Sequence, residues 1–461
     1  MGISQLCGKG IKQMTIRVLL VQAVYSYPPI ESHHPSLSLG YIASSLRKEF
    51  GDIFQFKIIN GNLAEEIKSF QPDIVGITSV TKNYNVAKEH ARVAKQANLP
   101  VIIGGIQISS LPQVLTRDMD VGVVGEGERT IIDVMASFAA NKRFDNSELS
   151  QIEGVIYWDD GKVVATKPRP FIQSIDSIPY PARDLLVIKK DTSMLSSRGC
   201  PYNCAFCSTS RYAGNRIRYA SAEYVVEEIE FIYKNYGVEY LTIYDDLFPM
   251  NSKRVAEIVE LLRAKNILGK IKFLFHMRTD LVTEEMAELF QQMNVHAVGL
   301  GIESGCQETL DYLKDGGITV EDNARAIRIL KKHRIIPYCY FIIGSPYESK
   351  EAILETIKFV KDNKVNSFHF CVLTPYPATP IWDYAKSRGL VSDDMDWSVL
   401  DFFTSSNTII LSEKMSRGEI LEICDKMEAR SEKYRKRRSL ENIIKHPYKY
   451  VIKPKLERLK G

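Results

Sequence analysis

No apolar run in this chain of 461 residues approaches the length of a membrane span, so a transmembrane function is not expected. The opening Met-Gly-Ile-Ser-Gln-Leu-Cys lacks the long apolar stretch of a signal peptide. Cysteine is scarce: eight residues are too few for a disulfide scaffold of this size, and three of them are grouped within eight positions. Together these absences predict a cytoplasmic protein in a reducing setting. No RNA- or DNA-binding motif is present, so nucleic acid is not an expected partner. Apolar (45%) and charged (25%) fractions are those of a globular protein, and the length calls for two or three domains. The net charge of +4 is unevenly spread. Residues 430–461 hold twelve Lys/Arg against three Asp/Glu, which leaves the rest of the chain acidic. This tail, with Arg435-Lys436-Arg437-Arg438 and later Tyr448, Tyr450 and Val451, reads as a solvated terminal helix. Its sharper reading is peripheral contact with an anionic membrane or an anionic substrate carrier.

What is present begins with Cys200, Cys204 and Cys207, in Ser-Ser-Arg-Gly-Cys-Pro-Tyr-Asn-Cys-Ala-Phe-Cys. Thiolates hold [4Fe–4S] clusters, ordinarily four of them. Three leave one iron open to another ligand. A zinc knuckle is the competing reading, but structural zinc wants four ligands, usually in two pairs. The next histidine downstream is His276 and the next cysteine Cys306, neither of them a compact fourth ligand.

Ahead of the cysteines, apolar runs at 18–23, 56–59, 74–78, 101–105 and 121–125 alternate with amphipathic stretches such as 39–49 and 84–97. That pattern predicts a doubly wound, Rossmann- or flavodoxin-like parallel sheet. Ligands of such sheets sit beyond the carboxyl ends of the strands. The residues there are Thr78 and Ser79, Gly104 and Gly105, and Gly125-Glu126-Gly127-Glu128. Residues 151–167 predict a hairpin turning at Asp159-Asp160-Gly161, and the prolines at 168, 170, 179 and 181 an extended linker.

After the cysteines the alternation resumes. Expected strands at 193–197, 240–244, 272–276, 297–302, 338–343 and 367–373, each with a helix, make six strand–helix repeats and a partial (β/α)6 barrel of TIM type. Chemistry in such barrels lies at the carboxyl ends of the strands. There the chain places Asp245-Asp246, His276-Met277-Arg278, Gly299-Leu300-Gly301-Ile302-Glu303-Ser304-Gly305, Phe341-Ile342-Ile343-Gly344-Ser345-Pro346-Tyr347-Glu348 and Thr374-Pro375-Tyr376-Pro377-Ala378-Thr379-Pro380. Arg216 and Arg218, beyond the cysteines, read as surface ion-pair partners. Cys306, Cys339, Cys371 and Cys424 are too dispersed for a second cluster and read as ordinary buried thiols.

The cysteine run, together with Gly-Ile-Glu-Ser and the proline-rich sixth segment, resembles the radical S-adenosylmethionine (SAM) superfamily. The first domain resembles the cobalamin (B12)-binding domain that precedes many radical SAM domains, on Pro35-Ser36-Leu37-Ser38-Leu39-Gly40, Ile77-Thr78-Ser79, Gly104-Gly105 and Gly125-Glu126-Gly127-Glu128. The resemblance spans roughly residues 17–405. It implies a [4Fe–4S] cluster on the three cysteines, with SAM chelated by the open iron and cleaved reductively to a 5′-deoxyadenosyl radical. It assigns Asp246 to the SAM amino group, Arg278 to its carboxylate, Glu303 to its ribose, and Phe206, Ile342 and Gly344 to its adenine side. It assigns Thr78, Ser79, Gly104, Gly105, Gln107, Gly125, Glu126 and Gly127 to cobalamin. Two departures stand out. The Asp-x-His-x-x-Gly motif that supplies an axial histidine is missing, and Gln107 stands where relatives often carry histidine.

The implied function is methylation of an unactivated carbon in a small-molecule or carrier-bound substrate, driven by an external reductant such as flavodoxin or ferredoxin. Non-methylating oxidation, cyclisation or rearrangement is the alternative within the superfamily. A non-enzymatic cobalamin or redox sensor is the alternative outside it. A methylthiotransferase would need a second cysteine set, and only Cys7 precedes Cys200. The expected domains are 15–145 (cobalamin-binding type), 146–190 (hairpin and linker), 191–381 (barrel) and 382–461 (helical C-terminal cap and basic tail).

Overall fold

The computed structural model describes residues 15–25, 35–402 and 408–445, and for residues 435 and 437–445 the backbone alone. Cys7 and the tail residues Tyr448, Tyr450 and Val451 lie outside the described residues.

The described strands, in chain order, are β1 (Ile16–Gln22), β2 (Phe54–Ile59), β3 (Ile74–Thr78), β4 (Val101–Gly104), β5 (Val121–Val123), β6 (Val155–Asp159), β7 (Lys162–Ala165), β8 (Asp191–Met194), β9 (Ser197–Arg198), β10 (Arg218–Tyr219), β11 (Tyr240–Ile243), β12 (Lys272–Met277), β13 (Val295–Glu303), β14 (Ile336–Ile343) and β15 (Phe368–Val372). The first seven form one sheet in the order β2-β1-β3-β4-β5-β6-β7. β1 to β5 pair in parallel. β1 and β3 are apolar along almost their whole length and buried on both faces, as interior parallel strands are. Their core includes Leu39, Ala43 and Leu46 of the helix Leu37–Phe50 and Ile131, Val134 and Phe138 of the helix Gly127–Asn141. The order 2-1-3-4-5 reverses between β1 and β3, the topology that opens a crevice at the strand ends. The hairpin β6–β7 extends this sheet antiparallel to β5. Its turn has positive φ at Asp160 and Gly161, as a two-residue hairpin of type I′ needs.

A six-stranded sheet has the order β15-β14-β13-β12-β11-β8. β8, β11 and β12 align in parallel with Met194, Ile243 and Phe275 in register. β13, β14 and β15 align in parallel with Gly301, Tyr340 and His369 in register. The strand expected at 193–197 is corrected by the structure. It breaks into β8, which stays in the barrel sheet, and β9, which pairs antiparallel with β10. The break lies at Ser196, whose N–H and hydroxyl both donate to Asp245 at 2.6 Å, while Ser197 Oγ donates to it at 2.7 Å.

The chain forms two compact units. One comprises the described residues up to Phe275 together with Gln292–Asn294 and Pro375–Asp401; the other comprises His276–Gln291, Val295–Thr374 and the described residues from 402 onward. Residues 382–430 thus divide between the units. In the first, Trp382 stacks on Trp397 (centroids 6.0 Å apart, 15° between planes), and Trp397 meets Tyr84 edge-on. In the second, the helix Arg417–Lys445 lies along β15, with Ser431 Oγ donating to Phe368 O at 2.6 Å. Among the described residues no helix is long and apolar enough to cross a membrane.

Candidate active site

Cys200, Cys204 and Cys207 sit on the loop after β9, all three half-buried and none in a disulfide. The loop is pinned at several points. Cys207 N–H donates to Cys204 O at 3.1 Å, and Gly199 N–H to Asp246 Oδ2 at 3.1 Å. Gly199 has φ +89°, and a side chain there would collide with Arg216 O, so glycine is required. Burial, together with the neighbouring Cys207, Cys204 and Asp246, pushes the Cys200 thiol up to about 11. The three sulfurs are therefore electrostatic neighbours, and the Cys200 thiolate needs a compensating cation. No three His, Cys, Asp or Glu side chains among the described residues converge on one ion. A [4Fe–4S] cluster does not require that, because each thiolate ligates its own iron. The donor set thus fits a cluster held by three thiolates.

The two acidic residues after β11 separate in role. Asp245 is buried and saturated by Ser196 and Ser197. Burial pushes its carboxyl up while those donors pull it down. Asp246 stays accessible, accepts from Thr209 Oγ1 at 3.2 Å and Tyr212 OH at 3.4 Å, and lines a cavity.

That cavity, of about 370 Å³, lies wholly within the first unit. Its lining includes Gly76 within β3, the strand-end residues Thr78, Gly104, Gly105, Gly125, Glu126, Gly127 and Glu128, and also Ser197, Arg198, Tyr212, Tyr244 and Asp246. Gly105 has φ +103°, and a Cβ there would stand 2.5 Å from Ser79 O. Glycine is thus required where the end of β4 passes the end of β3, and Gly104 and Gly105 both reach the cavity wall. These features fit a corrinoid against the first sheet. No described lining residue is a histidine.

Three of the residues assigned to this ligand from sequence stand differently. Ser79 is buried and donates to Val80 O at 2.8 Å, outside the lining. Gln107 is also outside the lining; it is fully buried, and neither amide atom has a hydrogen-bond partner. Glu126 lines the cavity, but its carboxylate is already engaged by Arg218 (2.8 and 2.9 Å), Arg198 (3.1 Å) and Ile172 N–H (2.7 Å). Burial opposes its charge, yet Arg218 and Arg198 hold the carboxyl below its usual range. Arg218 is accordingly no surface residue: it is 6% exposed. Arg216 is exposed and donates to Gln173.

Of the remaining SAM candidates, Phe206 stands on the cysteine loop of the first unit, and Arg278, Glu303, Ile342 and Gly344 belong to the second. Arg278 is buried and donates to Asp280 at 3.2 and 3.4 Å. Glu303 ends β13 at a register shift, with φ +60°, a conformation costly for glutamate and common at functional sites. Its carboxylate is paired with Lys314 at 2.8 Å. Ile342 lies on the half-exposed face of β14, the face of Tyr338 and Tyr340, and not on the buried face of Phe341 and Ile343. Gly344 has φ +87°. Tyr340 OH lies 3.2 Å from His276 Nε2, and burial lowers the pKa of that imidazole.

Sequence reasoning included Glu348 in the segment after β14, Gly-Ser-Pro-Tyr-Glu, but gave it no role of its own. It is 3% exposed and accepts from Gly344 N–H at 2.7 Å and Ser345 N–H at 3.3 Å, and its Oε1 has no partner. Burial pushes its carboxyl up to about 7, against those two donors. The folded pKa exceeds the unfolded one, so its stabilising contribution is complete below about 4.5 and is lost as pH rises through about 7. The loss is on the order of 3 kcal/mol. Urea unfolding followed by circular dichroism should show wild type weakening between pH 5 and 8, and Glu348→Gln should flatten that slope. An equal slope in the variant would remove Glu348 as its source.

The chain matches the radical SAM superfamily over residues 194–360. It matches the B12 binding domain over residues 29–134. A Pyrococcus horikoshii protein named as an uncharacterized methyltransferase is 35% identical over 383 residues, which is 79% of this chain and 81% of that one. An anaerobic magnesium-protoporphyrin IX monomethyl ester cyclase of Cereibacter sphaeroides is 28% identical over 411 residues, 84% of this chain and 65% of the cyclase, just under two thirds of its length. Among solved structures, the radical SAM methyltransferase TsrM of Kitasatospora setae, with tryptophan substrate and a SAM analogue bound, superposes with a TM-score of 0.68 at 21% identity, over 81% of this chain and 76% of that chain. At that identity the likeness establishes the fold.

Proposed function

Because the chain belongs to the radical SAM superfamily and joins that domain to a B12-binding domain, we propose that it is a cobalamin-dependent enzyme that methylates an unactivated carbon of a small-molecule or carrier-bound substrate. One observation carries the reading. A single cavity is lined by the glycine-rich strand ends of the first sheet and by Arg198, Tyr212 and Asp246 around the cysteine loop. The groups the family implies supply one-electron cleavage of SAM at the iron–sulfur cluster and methyl transfer at cobalt.

The residues divide the rest of the work. Cys200, Cys204 and Cys207 would hold the cluster. Asp246, accessible and already oriented by Thr209 and Tyr212, would accept from the SAM amino group. Arg278 would pair with its carboxylate. Glu303, fixed by Lys314, would accept from the ribose hydroxyls. Phe206, Ile342 and Gly344 would border the adenine. Thr78, Gly104, Gly105, Gly125 and Gly127 would present backbone and hydroxyl to the corrinoid. The electrons would come from an external low-potential donor such as flavodoxin or ferredoxin. That none of the seven described cysteines is disulfide-bonded is in keeping with a reducing, cytosolic setting.

A second reading, cyclisation without methyl transfer, draws on the relative named as a cyclase. Anaerobically reconstituted protein given SAM, a low-potential reductant and hydroxocobalamin separates the two. Methylation predicts S-adenosylhomocysteine in step with bound corrinoid, alongside 5′-deoxyadenosine. Formation of 5′-deoxyadenosine alone would remove methylation and leave the second reading.

A further inference from the structure

Two glutamates following β5 and two arginines flanking the cysteine loop form one charge cluster in the first unit. Glu126 accepts from Arg198 at 3.1 Å and from Arg218 at 2.8 Å, and Glu128 pairs with Arg198. The four side chains are at most 15% exposed. Arg218 also donates to Ile172 O at 2.7 Å and Ala213 O at 3.0 Å, and the Arg198 guanidinium lies 5.5 Å from the centre of the Tyr41 ring. Burial opposes the charge on Arg198, yet Glu128 and Glu126 hold it firmly protonated.

Desolvating four charges costs what their pairing returns, so such a cluster is a poor device for stability and a good one for fixing a register. The register fixed here is specific. Arg198 stands two residues before Cys200, and the intervening Gly199 is held by Asp246 and by its close approach to Arg216 O. Cys200 N–H in turn donates to Gly214 O at 3.4 Å. A displacement of Arg198 therefore has no slack in which to be absorbed before it reaches Cys200. Arg198, Glu126, Glu128 and Tyr41 all line the cavity, where a bound molecule would touch them.

We propose that this cluster couples occupancy of the first-domain cavity to the geometry of the cysteine loop, with Arg198 and Glu128 as positioning residues. The inference rests on the corrinoid reading of the cavity and the cluster reading of the three cysteines. Coupling is reciprocal: cluster loading changes corrinoid affinity by the factor with which corrinoid changes cluster loading.

The test measures hydroxocobalamin dissociation constants on the full chain, anaerobically, with and without the reconstituted cluster. Wild type is expected to show a ratio of about tenfold between the two forms, within the ordinary range of coupling between sites. In E128Q and R198K, with iron content and circular dichroism at wild-type values, the ratio should fall within about twofold of unity. A purely structural role would shift both dissociation constants together and leave the ratio alone. A wild-type ratio of one, or an unchanged ratio in the variants, overturns the coupling. Failure of wild type to bind hydroxocobalamin at all would overturn the reading of the cavity on which it rests.

Discussion

Cys204→Ala is expected to bring reductive SAM cleavage down to background while the protein stays folded and still takes up hydroxocobalamin. Two thiolates cannot hold a cluster whose open iron must be left to SAM. Cys204 lies on a half-buried loop, so its loss leaves no large cavity in either core. No cysteine lines the first-domain cavity, so corrinoid binding should persist at the affinity of cluster-free wild type. The measurement is 5′-deoxyadenosine formed per protein by chromatography, beside the visible spectrum of bound corrinoid. Retained cleavage would remove the three cysteines from the role assigned to them. A wild type that binds corrinoid but never cleaves SAM would point instead to a sensor.

The largest expected effect on stability comes from breaking the Arg183–Glu228 pair. Its atoms stand 2.6 Å apart, and both side chains are 0% exposed. Arg183 also donates to Ser193 O at 3.0 Å, so the pair ties the segment before the barrel to β8 and to the helix Ala222–Tyr236. Glu228→Gln leaves a buried guanidinium without its counter-charge, and should cost about 3–5 kcal/mol. Exchanging both partners for apolar residues, Arg183→Met with Glu228→Leu, should recover most of that loss, since the pair itself is nearly neutral against packing of similar volume. The comparison is a set of urea midpoints. If the double variant is as unstable as the single one, the pair does more than balance its own charges.

The chemistry-bearing motifs were legible because they are local. The cysteine run spans eight residues, and Gly104-Gly105 and Gly125-Glu126-Gly127 sit at strand ends; the face of Ile342 in the all-apolar run of β14 emerged only from the burial pattern. Charge partners were not legible, because they are distant in sequence. Glu126 reads as a ligand contact until Arg218, 92 residues away, is seen to occupy it. Arg198 is visible in Ser-Ser-Arg-Gly-Cys, but its partner Glu128 lies 70 residues earlier. Glu303 was named without Lys314, and Glu348 was given no role of its own because its burial follows from packing that no motif records. The first barrel strand was drawn too long for a related reason. The serines at 196 and 197 suit a strand locally, and it is Asp245, on another strand end, that draws them out of the ladder.

The stacked pair Trp382 and Trp397 has a practical consequence. The chain has three tryptophans, and all of them, Trp158 included, fall in the first compact unit. Trp158 donates its indole N–H to Thr116 O at 2.8 Å beneath the Arg117 guanidinium, while Trp382 stacks on Trp397, which meets Tyr84 edge-on. Emission excited at the red edge of the absorption band therefore reports one unit and is blind to the other, whose intrinsic fluorophores are tyrosines. An unfolding curve recorded that way follows the Arg183–Glu228 region and misses the Glu348 region. Where tryptophan emission and circular dichroism part company, the interval between the two curves measures how independently the halves of this protein come undone.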